Sequence, residues 1–166
     1  MHKFYLYVVK KFNLKKKCHL FGFSRGGLYA FNFALSYSEY VASVYLDAPV
    51  LNIKSWPSND SVEQKQLFSE YSLQSDTLAR FNDNPIDNLK EFFDSGIPLL
   101  IIAGGKDEVV PLNENVGVLL DYCAKNGISV HSVIKPECGH HPHSLDDVAP
   151  IIEFVEKSAT DTEKYK

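Results

Sequence analysis

At 166 residues, 45% of them hydrophobic and 13% aromatic, the chain has the size and composition of one globular domain with a real core. A formal net charge of −4 excludes the broad basic footprint of a nucleic-acid binder, and the one basic cluster, Lys15-Lys16-Lys17, reads as a solvated loop. No apolar run is long enough to cross a bilayer, and three cysteines, an odd number, do not make a disulfide framework.

Met1, Phe4, Tyr5, Val8, Val9 and Phe12 recur at helical spacing, so the first element is expected to be an amphipathic helix ended by Asn13. Its apolar residues are periodic and no small-residue cleavage site follows, unlike a secretory leader, so the default location is cytoplasmic. A short buried strand follows from Lys17 to Phe21, then a turn of the form G-x-S-x-G at Gly22-Phe23-Ser24-Arg25-Gly26. The next helix is expected over Arg25–Ser36 and the second strand over Val41–Leu46, closed by Asp47-Ala48-Pro49.

Residues 51–84 turn polar and irregular, as a lid-like insertion does; Trp56 to Asp60 reads as a loop and Ser61 to Tyr71 as a helix. Asp87 is expected to cap a helix running to Phe93 and ending near Gly96. Ile97–Ala103 is continuously apolar, which fits a parallel strand buried on both faces. A helix over Asn113–Asn126 stops at Gly127, and Ile128–Lys135 is the fourth strand. The last helix has Val148, Ile151, Ile152 and Val155 on one face. Residues 1–158 form one domain in this reading, and 159–166 a frayed tail. Strands alternating with helices imply an α/β fold with a parallel sheet and right-handed crossovers.

In such a sheet the reactive groups gather beyond the carboxyl ends of the strands. Three strands end in residues that fit a Ser, acid, His set in that chain order: Ser24, Asp107 and His140. A serine hydroxyl needs a base within reach, and the base needs a carboxylate to fix its tautomer. On a sharp strand-to-helix turn the serine is strained and exposed, and the positions two before and two after it, Gly22 and Gly26, must be nearly free of side chain. The helix start supplies the Arg25 backbone N–H for a developing oxyanion. Asp47 also ends a strand and is the alternative acid; His141 is the alternative base. Cys18 and Cys123 read as core residues, and Cys138 as packing beside the histidine. His140, His141 and His143 lack Cys or acid partners at metal-ligand spacing, so neither metal nor cofactor is expected.

Gly22-Phe23-Ser24-Arg25-Gly26-Gly27, Gly105-Lys106-Asp107-Glu108-Val109-Val110-Pro111 and Cys138-Gly139-His140-His141-Pro142-His143 together resemble the α/β-hydrolase superfamily over nearly the whole chain. The resemblance implies Ser24 as nucleophile, Asp107 as acid and His140 as base. It favours Asp107 over Asp47, and His140, which directly follows a glycine, over His141. The stretches Leu46 to Val50, Ser55 to Pro57 and Asn84 to Leu89 look like a bacterial esterase-like branch, some of whose members occur beside carbohydrate-degrading enzymes. The implied activity is ester hydrolysis through an acyl-enzyme, with a carbohydrate-like ester as one substrate class; a peptidase, an acyltransferase or a non-catalytic binding module uses the same frame. Arg25, Lys54, Trp56 and His141 are the expected pocket-mouth residues. About four strands are present where the superfamily has about eight. A second oxyanion N–H from an earlier strand's loop is therefore expected upstream of Met1 or on another chain, and Met1 reads as an internal methionine or a shortened start.

Overall fold

A computed structural model describes residues 1–59 and 61–161. Four parallel strands, β1 (Cys18–Phe23), β2 (Val41–Asp47), β3 (Leu99–Gly104) and β4 (His131–Lys135), lie side by side in chain order. The register pairs Phe23 with Asp47, Asp47 with Ile102 and Gly104 with Lys135. All four carboxyl ends therefore open onto one edge of the sheet, where their loops meet.

Every residue of β2 and β3 is buried, as continuous apolar strands require. Their side chains alternate. Val44, Leu46, Leu99 and Ile101 face α2 (Arg25–Ser36), α5 (Leu89–Asp94) and α6 (Val116–Asn126), with Phe31 of α2 stacked on Phe92 of α5 at 4.3 Å between ring centres. Tyr45, Leu100 and Ile102 face α7 (Ala149–Asp161) on the other side. The outer strands pack less: β4 exposes its first three residues, and β1 exposes Phe21 and Phe23. α1 (His2–Phe12), closed by Asn13 in the left-handed conformation, buries no residue; His2 stacks on Tyr37 while Phe4 and Phe12 stay in solvent.

Several elements differ from the sequence reading for identifiable reasons. β1 runs on through Gly22 and Phe23 because Ser24 N–H donates to the Asp47 carbonyl at 2.9 Å, extending the pairing to the turn. Asp87 does not cap a helix: it closes a 3₁₀ turn over Pro85–Asp87 by accepting from Asn84, and α5 starts two residues later. The helix expected from Asn113 begins at Val116 because Asn115, fully buried, turns its side chain to other chain segments. Its Oδ1 accepts from the N–H groups of Leu51 and Asn52 at 2.9 Å each, and its amide donates to Ser55 Oγ and the Pro111 carbonyl. β3 and β4 are two and three residues shorter at their starts than expected. The apolar face expected of α7 is divided: Ile151 and Phe154 are buried, while Ile152 and Val148, which precedes the helix, are exposed. The helix continues to Asp161, into the expected tail, whose residues 162–166 lie outside the described residues. Cys123 is buried, but Cys18, on the outer strand, is only half-buried.

The 51–84 segment carries α3 (Val62–Tyr71) and the single turn α4 (Ser75–Leu78); Asp60, placed in the expected loop, lies outside the described residues. Ser61 caps α3 by accepting from Gln64 N–H. Ile53, Trp56, Leu67, Phe68 and Phe81 of the segment pack on Leu28, Val50 and Val110. Asn84 is a second buried clamp, its Oδ1 accepting from Ile53 N–H at 2.9 Å.

Candidate active site

Ser24 sits between the end of β1 and the first turn of α2 at φ 50°, ψ −121°, a conformation that L-residues rarely adopt. The surroundings force it. Ser24 N–H is bonded to Asp47, and the Ser24 carbonyl accepts from Gly27 at 2.9 Å and from Val50 at 3.0 Å. A Cβ on Gly22 would meet the Gly26 carbonyl oxygen at 2.8 Å and Ala30 at 2.9 Å, so the strand end and helix start touch there as the motif demands. The expectation for Gly26 is different in the fold: a Cβ there meets nothing within 4 Å, and Gly27 is the crowded residue, pressed onto Pro49. Arg25 is the first residue of α2, so its N–H has no acceptor inside the helix.

Asp107 follows β3 and is 7% exposed. Its Oδ1 accepts from Val109 N–H at 2.9 Å and Val110 N–H at 2.8 Å, which fixes the carboxylate and leaves Oδ2 for His140. Oδ2 lies 2.7 Å from His140 Nδ1, and His140 Nε2 lies 2.9 Å from Ser24 Oγ. These partners select the tautomer in which Nδ1–H donates to Asp107 and Nε2 accepts from the Ser24 hydroxyl. The side chains of His140 and Asp107 are only 8% and 2% exposed. The two loops are also joined through backbone. Gly104 leaves no room for a Cβ against the carbonyls of Cys138 and Gly139, Lys106 N–H donates to the Cys138 carbonyl at 2.9 Å, and Gly105 N–H donates to Lys135 at 2.8 Å.

The alternative acid and the alternative base stand elsewhere. Asp47 is 1% exposed and holds a separate set of donors: Tyr45 OH at 2.8 Å, His143 Nδ1–H at 3.1 Å, and Ser144 N–H. Burial, then the bond to Asp47, pushes the Tyr45 phenol far above its ordinary value, so it remains a donor. His141 is exposed, its ring 5.0 Å from that of His140. Arg25 and Lys54 are exposed, and Trp56 is half-buried in the apolar cluster of the 51–84 segment. An open cleft behind the Asp107 loop is lined by Asp107, Leu112 and Gly117 but by neither Ser24 nor His140.

Sequence reasoning missed the Asp47–His143 pair and the two buried asparagines. A signal existed for the first: an ionisable residue closing a wholly apolar strand must find donors nearby. For Asn84 and Asn115 the sequence offers little, because their partners are backbone groups 31 and more than 60 residues away.

Residues 1–89 match the family described as alpha/beta hydrolase fold. No curated protein sequence matches the chain. Similar solved structures include a puromycin hydrolase, with a TM-score of 0.65 and 18% identity over 92% of this chain and 22% of that one. Dipeptidyl peptidase 4 of Porphyromonas gingivalis aligns with a TM-score of 0.57 and 16% identity, covering 86% of this chain and 19% of that one. A ferulic acid esterase gives 0.55 and 17%, covering 84% and 52%. At these identities the likeness is one of fold. The chain spans from about a fifth to about half the length of these structures.

Proposed function

The chain belongs to the alpha/beta hydrolase fold family, and from that premise we propose that it carries the reacting groups of a serine hydrolase acting on a carboxylic ester. The observation that carries the reading is the continuous relay from Ser24 through His140 to Asp107, at 2.9 and 2.7 Å, behind a serine held at positive φ. In this mechanism Ser24 Oγ attacks the acyl carbonyl while His140 Nε2 takes its proton, and the Arg25 N–H receives the oxyanion. His140 then returns the proton to the leaving alcohol. Water, deprotonated by the same nitrogen, attacks the acyl-enzyme and releases the acid and free Ser24. Asp107 keeps Nδ1–H in place and stabilises the imidazolium throughout. Arg25, Lys54, Trp56 and His141 are the side chains proposed to meet substrate, with acylated carbohydrate as the first ester class to examine. A fluorophosphonate probe should label Ser24; labelling that persists in Ser24→Ala would overturn the assignment. A panel of short acyl esters, acetylated sugars and peptides then separates esterase from peptidase.

One observation favours a second component. β1 is an edge strand, so among the described residues nothing pairs with its outer side. A mechanism of this type takes one oxyanion donor from the residue after the nucleophile and another from a loop beyond a neighbouring strand, and losing one donor costs about 10²–10³ in turnover. In this reading full turnover requires a β-strand paired along β1, from an additional segment or a second chain; otherwise the protein is a binding module of low activity. The comparison is between this chain and a version extended upstream by about 100 residues, enough to complete a typical domain. Equal Ser24-dependent rates in the two would remove the requirement.

A further inference from the structure

The loop after β4 brings three imidazoles together: His140, His141 and His143. Their ring centres lie 5.0, 5.2 and 4.6 Å apart in pairs, and each pair is close to perpendicular. One ring nitrogen from each lies within 4.8 Å of one from the others. His141 is exposed, while His143 is bonded to Asp47 and meets the Phe23 ring edge-on at 5.6 Å between centres.

The outer contacts leave each ring with a nitrogen to offer. Asp107 occupies His140 Nδ1 and Asp47 occupies His143 Nδ1, so both rings present Nε2 as the basic atom. A carboxylate on the far nitrogen is the arrangement that orients histidine ligands and raises their basicity toward a cation. We propose that this cluster binds a borderline divalent transition cation, Zn²⁺ above all, and that binding switches off the Ser24 chemistry. Zinc–imidazole bonds of about 2.0–2.1 Å place ligand nitrogens about 3.4 Å apart, so the three rings must draw together to close on a cation. His141, being exposed, is the ring free to make that movement. The cation and the Ser24 hydroxyl compete for one lone pair, His140 Nε2. Zinc therefore acts as a reversible inhibitor and not as the agent of the reaction. The inhibitory half rests on the hydrolase reading above; the binding half does not.

The test measures the two halves separately on the same chain. Calorimetric titration with Zn²⁺, and the visible absorption of Co²⁺ as a tetrahedral probe, should show one tight site per chain. His141→Ala removes an exposed ligand without a packing cost and should raise Kd at least tenfold, as should His140→Ala and His143→Gln. His19→Ala, a histidine outside the loop, should leave Kd unchanged. Circular dichroism of each variant separates lost ligands from lost fold. Fluorophosphonate labelling should fall in Zn²⁺ and recover with chelator. Absent 1:1 binding, or binding indifferent to His141 and His143, overturns the site. Binding indifferent to His140→Ala, or labelling that proceeds at full rate with the site saturated, overturns the inhibition. If no labelling occurs with or without Zn²⁺, in this chain or in the version extended upstream, the hydrolase reading fails instead, and the response of Kd to His140→Ala still decides whether the cation takes that nitrogen.

Discussion

Asp47 holds His143 as Asp107 holds His140: carboxylate to Nδ1, at 3.1 Å in one pair and 2.7 Å in the other, with the two rings 5.2 Å apart. Two acid–histidine pairs thus stand side by side at the carboxyl edge of the sheet, and only one reaches the serine. The difference lies in what else each acid binds. Asp107 takes two N–H groups of its own loop, whereas Asp47 takes Tyr45 and the backbone of Ser144, tying the histidine loop to β2.

Substitutions should separate these acids. Asp107→Asn keeps an acceptor for Val109 and Val110 but reverses the polarity offered to His140. Turnover should fall by about 10⁴, with a modest change in stability. Asp47→Ala strands three donors in a buried position, and unfolding free energy should drop by roughly 1–3 kcal/mol or more. Paired chemical denaturation and ester-hydrolysis assays check both; a stable Asp47→Ala would mean that the histidine loop is held by other contacts.

The serine's backbone offers a trade of activity for stability. A non-glycine residue at φ 50°, ψ −121° carries strain on the order of 1–3 kcal/mol. Ser24→Gly should relieve part of it and raise the melting temperature, while abolishing turnover. Ser24→Ala keeps the Cβ, so it should lose activity without that gain.

Two glycines two residues either side of the serine should respond in opposite ways. Gly22→Ala forces a methyl against the backbone of Gly26 and Gly27 and should destabilise by about 1–3 kcal/mol. Gly26→Ala adds a methyl in open space on a helix and should stabilise by about 0.5–1 kcal/mol. Denaturant midpoints of the two variants decide the matter.

His19, on β1, is bonded to Ser43 Oγ at 2.7 Å, and burial lowers its pKa from the ordinary 6.5. The folded protein therefore prefers the neutral ring. That contribution is complete above the unfolded value of 6.5 and is lost as pH falls from there through the depressed folded value. His19→Gln should flatten the decline of stability as pH falls below 6.5. An unchanged pH profile in the variant would assign the decline to other groups.

Much of the fold was legible because its signals are strong and local. The apolar runs of β2 and β3 can only be buried strands, and a serine between two glycines at a strand-to-helix junction has few other uses. That Asp107 and His140 meet beside Ser24 was readable by position, since loops following parallel strands converge. Asp87 misled because a 3₁₀ turn and a helix start share the same capping residues. The division of α7 was hidden because helical spacing defines a face but not how much of it finds a partner. The Asn115 clamp was hidden for a different reason: a buried amide reports nothing about its partners until the chain has closed.

The contact of Gly104 with the Gly139 carbonyl has a mechanical consequence. The strand end that leads to Asp107 and the loop that carries His140 are fastened to each other by backbone, not only by the side-chain bond between them. A displacement of either loop should therefore carry Asp107 and His140 together and leave their separation little changed. The vulnerable seam is then β4, the exposed outer strand from which the histidine loop departs. On warming, His140 should be lost by peeling of that edge while the Ser24 turn, anchored between β1 and β2, is still in place.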